Sequence, residues 1–423
     1  MSDSKLSGRL VIVGASYAGL NLALSARQAG HAGPITLIGD EAGLPYQRPP
    51  LSKAFMLGKV AESALPIRPQ QSLDSNQIEF LPGTRVAALD RAGQAVETED
   101  GRRIPYDRLA LTIGCRARPL AVPGAELGGV HYLRSLDDAR ALRDSAAAAQ
   151  APLIVGGGFI GLEVAASLAS QGKQVTVVEA QDRLLARAVP PVLSEFLTGV
   201  HRDAGVRILF GTIVRGLNGE NGRVVSAELS DGTVLPADLV LAGIGALANT
   251  ELASAAGLTC DDGIVVDEFM RTSDPNIVAA GDCTRFPTRF AARPVRLESV
   301  QNAQDQARMA ALTVTGTLRA YDAVPWFWSD QYDLKLQMVG LSHGHDQMVL
   351  RGSMEERKFS LFYFKGDQLI AIESINRSGD HMAGRLLIAA DAKVTPDQIA
   401  DPNFDLAPVV AELRKAARAN AEA

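Results

Sequence analysis

The sequence predicts an α/β fold on three observations. The stretch Leu10-Val-Ile-Val-Gly-Ala-Ser-Tyr-Ala-Gly-Leu20 is a short apolar run, a glycine turn and the start of an alanine-rich helix, and Leu153-Ile-Val-Gly-Gly-Gly-Phe-Ile-Gly-Leu162 repeats it. An acid follows each turn by about 20 residues, at the end of the next apolar run: Asp40 and Glu41 in the first copy, Glu179 in the second. Thirty-nine glycines against seven tyrosines and two tryptophans suit a chain built on many tight strand-to-helix turns.

The 423 residues, 47% hydrophobic and 21% charged, have the balance of a soluble globular protein. That length predicts about three domains of roughly 150 residues each. A net charge of −6 argues against nucleic acid, which selects clustered positive charge. Cys115, Cys260 and Cys283 are odd in number and far apart, so they build neither a disulfide framework nor a CxxC pair. The apolar stretch from Leu10 to Leu24 is broken by Gly14, Ser16 and Gly19, too short and interrupted for a membrane span or a signal core. The expectation is a cytoplasmic protein without a membrane partner.

In chain order, the first helix is expected from Asn21 to about Ala29, closed by Gly30, followed by a strand over Ile35 to Ile38. Arg85 to Asp100 alternates polar and apolar and turns at Asp100-Gly101, which predicts an antiparallel hairpin; Tyr106 to Ile113 reads as a buried strand ending at Gly114. Ser135-Leu-Asp-Asp resembles a capping box and starts a helix leading into the second copy. There the helix from Leu162 to about Gln171, the strand Gln174 to Val178, the stretch Val224 to Ser230 with a turn at Asp231-Gly232, and the strand Ala237 to Ile244 repeat the plan. Asn276 to Cys283 adds a strand ending in Gly-Asp, and a long helix runs from about Ser299 to Thr313. From Pro325 the alternating stretches Lys335 to Val339, Met348 to Arg351 and Phe359 to Phe364, with a last helix over Leu406 to Ala419, predict an antiparallel sheet with terminal helices. The expected organisation is two Rossmann-like dinucleotide-binding domains, a discontinuous one over 1–114 and 246–324 and another over 115–245, plus a C-terminal α+β domain over 325–423.

In a Gly-x-Gly-x-x-Gly turn the missing side chains let backbone approach a pyrophosphate, whose charge then sits at the helix N-terminus. Gly156, Gly158 and Gly161 satisfy the pattern; in the first copy Ser16 takes the middle place between Gly14 and Gly19. The acids at the strand ends would accept ribose hydroxyls and repel a 2′-phosphate, so Glu179 favours NADH over NADPH, with Arg183 and Arg187 as the counterweight. Two adjacent sites imply two cofactors, a resident FAD in the first unit and an exchangeable NADH in the second, because hydride passes directly between their rings.

The chain resembles the FAD-containing, NADH-dependent ferredoxin reductases of oxygenase electron-transfer chains, of the putidaredoxin reductase type. The resemblance rests on Val13-Gly-Ala-Ser-Tyr-Ala-Gly19, Arg48-Pro-Pro-Leu-Ser-Lys53, Gly156-Gly-Gly-Phe-Ile-Gly-Leu-Glu163, Gly281-Asp-Cys283 and Pro325-Trp-Phe-Trp-Ser-Asp-Gln331, and it covers essentially the whole chain. It implies a plan like that of glutathione reductase without the redox disulfide. It also implies FAD contacts from Gly14, Ala15, Ser16, Tyr17, Ala18, Gly19, Asp40, Glu41, Arg48, Lys53, Val86, Arg134, Asp282, Val300 and Trp328. For NAD it implies Gly156, Gly158, Phe159, Ile160, Gly161, Glu163, Glu179, Arg187, Ile244 and Gly245. Pro49 and Lys53 would support the flavin, with Glu163 as the lysine's buried partner.

Relatives on this plan that reduce disulfides carry a cysteine pair beside the flavin. Its absence sends the electrons to an outside acceptor, a [2Fe-2S] ferredoxin, with no side chain acting as general acid, base or nucleophile. A rubredoxin, or an NADH-sensing role of the apoptosis-inducing-factor type, are the alternatives. Between Arg285 and Arg319 six arginines face two acids, so Arg293, Arg296 and Arg308 are candidates for docking an acidic partner. His343-x-His345 lacks a third ligand nearby, and no metal site is expected.

Overall fold

A computed structural model describes residues 7–422, with side chains described up to 416. The chain divides into two compact units. One is formed by the chain up to Gln47 with Leu65–Arg116 and Leu247–Phe327; the other comprises Arg48–Ala64, Ala117–Ala246 and the chain from Trp328.

The first unit is built on a five-stranded parallel sheet. Strand Leu10–Val13 lies at its centre, between Ile35–Ile38 and Arg108–Leu111, with Ile78–Leu81 and Ile277–Ala279 at the edges. The central strand is buried on both faces, as its unbroken apolar run requires in a sheet covered by helices. Helix Tyr17–Gln28 starts four residues earlier than Asn21, because the glycine turn feeds it directly from Ser16. Gly30 follows it at φ +88°, a left-handed conformation suited to glycine. Helix Val300–Val314 packs on this helix and is capped by the Ser299 hydroxyl, which accepts from the Asn302 amide. The expected hairpin is a three-stranded antiparallel sheet of Val86–Asp90, Ala95–Thr98 and Arg103–Pro105, and Asp100-Gly101 makes the second of its two turns.

The second unit repeats the sheet. Pro152–Val155 is central, between Thr176–Val178 and Leu239–Ala242, with Arg207–Leu209 beyond the first and Val130–His131 beyond the second. The copies differ in where the strand beyond the Gly-ending one comes from: it follows the repeat in the first unit and precedes it in the second. Ser135 and Asp138 form the capping box of helix Leu136–Ala148. The turn at Asp231-Gly232 joins Arg223–Leu229 to Val234–Pro236, and a further strand, Val214–Glu220, completes that small sheet.

The C-terminal sheet is five-stranded, in the order Trp326–Gln331, Leu334–Gly340, Gln368–Ile375, Lys358–Lys365, Gln347–Ser353. All six interior residues of Lys358–Lys365 are buried, so neither face meets water. Helix Ser378–Ala389 packs on the sheet, while Phe359, Leu361 and Tyr363 join one apolar core with Leu193, Leu197 and Val200 of helix Pro191–Asp203. Phe196 and Phe359 meet edge to face, ring centroids 4.9 Å apart. The same core encloses helix Phe159–Ala169, buried from Gly161 to Leu168 including Glu163. No helix among the described residues is long and apolar enough to cross a membrane.

Candidate functional site

The glycines of the two turns do different work. At Gly14, φ is +107° and a Cβ would fall 2.3 Å from the Thr112 carbonyl oxygen; at Gly19 it would fall 1.9 Å from the Gly14 oxygen. Gly156, at φ +104°, and Gly161 repeat this, with clashes of 2.5 Å on the Gly243 oxygen and 2.4 Å on the Gly156 oxygen. Those four are glycine because backbone lies against backbone. Gly158 is not: its nearest neighbour to a Cβ is 3.8 Å away, so nothing in the chain excludes a side chain there. The open space there leaves room for a phosphate to approach the N-terminus of helix Phe159–Ala169. Ser16 holds the same N-cap place in the first turn, and its side chain does not cap the helix. Gly14, Ala15 and Ser16 thus leave a small-sided turn at the start of helix Tyr17–Gln28, and Ala18 and Gly19 are buried on it. Both turns fit a dinucleotide pyrophosphate.

The acids are equally distinct. Asp40 is exposed, with Arg85 at 3.5 Å, whereas Glu41 accepts a 2.5 Å hydrogen bond from the Tyr46 hydroxyl. Glu179 is tied on both oxygens, accepting from the Gly157 amide at 2.6 Å and the Gln181 amide at 2.8 Å. Of the two arginines after it, Arg183 donates to the carbonyls of Val189 and Ala186, which makes it a brace of its own loop. Arg187 is exposed and stands 3.5 Å from where a Cβ of Gly245 would lie. Ile160, 44% exposed, presents an apolar side chain beside the open turn, with Phe159 and Ile244 half-buried.

In the first unit, Asp282 follows Gly281, whose amide is held by the Gln306 side chain at 2.8 Å; the Cys115 thiol lies 3.5 Å from the Asp282 carboxylate. Val300 opens its helix and Val86 opens its strand, both half-buried. The arginine cluster is less bare than the sequence implies, because acids from elsewhere in the unit return to it. Arg285 pairs with Asp261, Arg289 with Asp322 and Arg308 with Asp305, while Arg296, its side chain only 14% exposed, pairs with Glu298 and Asp262. Arg293 and Arg308 remain on the surface.

In the second unit Pro49–Ser52 forms one 3-10 turn, with Lys53 immediately after it. The Lys53 ammonium lies 2.6 Å from Glu163 Oε2 and also reaches the Pro49 carbonyl at 3.3 Å. Glu163 is 3% exposed and accepts two further bonds of 2.6 Å, from the hydroxyls of Ser52 and Ser329. A buried carboxylate is tolerable only when its lone pairs are met by donors, and here three side chains meet them. Arg48 donates to the Arg134 carbonyl at 2.6 Å, so these two sequence candidates are in contact. Trp328 is half-buried in strand Trp326–Gln331, on the face opposite Ser329 and Gln331. Ser52, Ser329, Gln306 and Gln331 were not legible as site residues; the signal for two of them is a serine and a glutamine alternating with Trp328 in an aromatic strand.

Two family models match the chain: pyridine nucleotide-disulphide oxidoreductase over residues 8–307 and reductase C-terminal over 326–410. Rhodocoxin reductase of Rhodococcus erythropolis is 48% identical, with 94% of this chain and 93% of that protein aligned. The crystal structure of a ferredoxin reductase from Rhodopseudomonas palustris superposes with a TM-score of 0.93 at 45% identity, covering 95% of this chain and 99% of that one. The covalent complex of putidaredoxin reductase with putidaredoxin gives 0.92 at 42% identity, covering 96% and 99%.

The unequal glycines give a test. Gly158→Ala should leave the thermal midpoint nearly unchanged, a cost of about 1 kcal/mol from the cap, while weakening NADH binding at least tenfold. Gly161→Ala forces a Cβ to 2.4 Å from the Gly156 carbonyl oxygen and should cost about 3 kcal/mol, read as a clear fall in the midpoint. Equal stability loss in both, with NADH binding by Gly158→Ala intact, would show that Gly158 is there for packing.

Proposed function

The chain belongs to the pyridine nucleotide-disulphide oxidoreductase family, and on that premise we propose that it carries electrons from NADH through FAD to a [2Fe-2S] ferredoxin that supplies an oxygenase in the cytoplasm. The observation that carries this reading is the pair of dinucleotide turns together with three cysteines that form no disulfide, two of them buried. When bound, FAD would supply the exchange between two-electron and one-electron chemistry, and the overall reaction balances as NADH and two oxidised ferredoxins giving NAD+, a proton and two reduced ferredoxins. Burial pushes the Cys283 thiol up to about 12, away from the reactive thiolate.

The protein's part is to hold and orient. Gly14, whose own amide is held by the Ile38 carbonyl, makes the tight turn that lets Ala15, Ser16 and the helix N-terminus meet the FAD pyrophosphate, Asp40 or Glu41 takes the adenosine ribose, and Asp282 the ribityl chain. Tyr17, Val86, Arg134 and Val300 complete that site, and Pro49, Lys53, Glu163 and Trp328 support the flavin. Gly156, Gly158 and Gly161 cradle the NADH pyrophosphate, with Phe159, Ile160, Arg187, Ile244 and Gly245 around it. Glu179, already oriented by two backbone amides, accepts ribose hydroxyls and repels a 2′-phosphate. The functional domains in this reading are 1–114 with 246–324 for FAD, 115–245 for NADH, and 325–423. Arg293, Arg296 and Arg308 steer the ferredoxin, Arg296 being the least exposed of them and paired with Glu298 and Asp262.

The purified protein should be yellow, bleach with NADH and turn over with a [2Fe-2S] ferredoxin. A folded, flavin-free protein would refute the proposal, and turnover with rubredoxin alone would reassign the acceptor. Glu179→Gln keeps one acceptor oxygen for the Gly157 amide but loses the charge. It should narrow the NADH over NADPH preference in kcat/KM about tenfold, the effect of roughly 1.4 kcal/mol, and an unchanged ratio refutes the assignment. Charge reversal at Arg293 and Arg308 should raise KM for ferredoxin and flatten its salt dependence while reduction of a small dye stays intact. Equal loss with the dye would make those arginines structural.

A further inference from the structure

The buried carboxylate of Glu163 is the end of a longer chain of polar groups within the second unit. Ser329 donates to it at 2.6 Å; the Gln331 amide nitrogen donates to Ser329 Oγ at 3.2 Å; the Gln331 oxygen lies 2.8 Å from His201 Nε2; and His201 Nδ1 lies 3.1 Å from the Tyr332 hydroxyl. Ser329 and His201 are fully buried, and Gln331 is 2% exposed. The members come from three places in the sequence: helix Phe159–Ala169, the last turn of helix Pro191–Asp203, and strand Trp326–Gln331 with the turn after it.

The carboxylate sets the direction of every bond. Paired with Lys53 it can only accept, so the Ser329 proton is committed to it and Ser329 Oγ must accept from Gln331 nitrogen. That orients the amide, leaving its oxygen to accept from His201 Nε2–H and His201 Nδ1 to accept from Tyr332. The imidazole is then neutral, with its proton on Nε2, and burial pushes it the same way, below its ordinary pKa. The Tyr332 phenol is pushed up to about 12 by burial, so it remains a donor.

A second observation marks the same chain. Tyr332 sits at φ +56° in the two-residue connection between strands Trp326–Gln331 and Leu334–Gly340, a left-handed place suited to glycine or asparagine. A bulky side chain held there points to a constraint on it, and its hydroxyl reaches His201. Side chains alternate along the strand, so seating Ser329 and Gln331 in the chain turns Trp328 to the other face.

We propose that the directed chain Tyr332–His201–Gln331–Ser329–Glu163 is a positioning device that fixes the Lys53 ammonium and the register of the strand carrying Trp328, with His201 as its neutral, Nε2-protonated member. It rests on the reading above that Lys53 and Trp328 support the flavin. His201, Gln331 and Tyr332 are positioning residues; none need touch cofactor or substrate.

Two measurements test it. In the histidine-15N-labelled wild-type holoprotein, His201 should show the Nε2–H tautomer, neutral at pH 7 and charging only below the ordinary histidine range; a charged ring at pH 7, or a proton on Nδ1, overturns the direction of the chain. This result is read without NADH or ferredoxin, so a protein that keeps the tautomer yet reduces no ferredoxin would sink the functional reading and leave the chain standing. In the second, His201→Phe and Gln331→Met should lower kcat at least fivefold with KM for NADH within twofold, and shift the flavin midpoint potential downward. His201→Gln, which keeps a donor near the Nε2 position, should restore most of both. Folded variants with wild-type kcat and potential would overturn the proposal, as would equal losses in all three, which mark the site as packing alone. Should the variants not fold, the tautomer decides.

Discussion

Backbone resting on backbone at the two glycine turns is the constraint on which both units depend. Gly19 meets the Gly14 carbonyl and Gly161 meets the Gly156 carbonyl at distances that exclude even a methyl group. That contact seats each helix against the end of its central strand, so the helix N-terminus faces the same end of the sheet as the strand-end acid. The packing requirement and the binding requirement are therefore met by the same few residues. Of the motif glycines in the second turn, Gly158 alone is free of packing demands, which suits the ligand role proposed for it.

The second unit adds a constraint of another kind. Helix Phe159–Ala169 is covered on one side by its own sheet and joins a core with the C-terminal sheet, so an acid on it has no water to turn to. Removing one partner of such a pair leaves an uncompensated charge and costs about 3–5 kcal/mol. Ser52, Lys53 and Ser329 must all be in place before Glu163 can be buried. Segments distant in sequence are thus tied together by the need to satisfy one carboxylate.

The sequence carried the repeated sheets because period and punctuation are local: apolar runs, glycines at fixed spacing, an acid at the strand end. The capping box of Ser135 and Asp138 and the turns at Asp100-Gly101 and Asp231-Gly232 were legible for the same reason. What local pattern could not carry were distant partners. Six arginines in one stretch suggest a positive patch, yet Asp261, Asp262 and Asp322 come back in space to offset it. Nothing near Glu163 in the chain announces Ser329, and a histidine in a helix's last turn reads as a favourable charge on the dipole, when His201 is buried and bonded to Gln331. The lone candidates Lys53 and Glu163 were found by resemblance, and the groups that hold them emerged only from the fold.

Under the proposed function, the two copies divide between a resident and an exchangeable dinucleotide. Glu179 is oriented by two backbone amides before any ligand arrives, so little ordering cost recurs at each binding event. That trait suits NADH, which must enter and leave in every turnover. Asp40 is exposed and loosely paired with Arg85, and in the proposed role its ordering would be needed only once, when a resident FAD binds. Ser16 in place of a middle glycine fits the same division, since its hydroxyl can add a bond to a pyrophosphate that never leaves. On this argument the departure from the glycine pattern in the first turn is a gain in retention, and the full pattern in the second keeps the approach open for exchange.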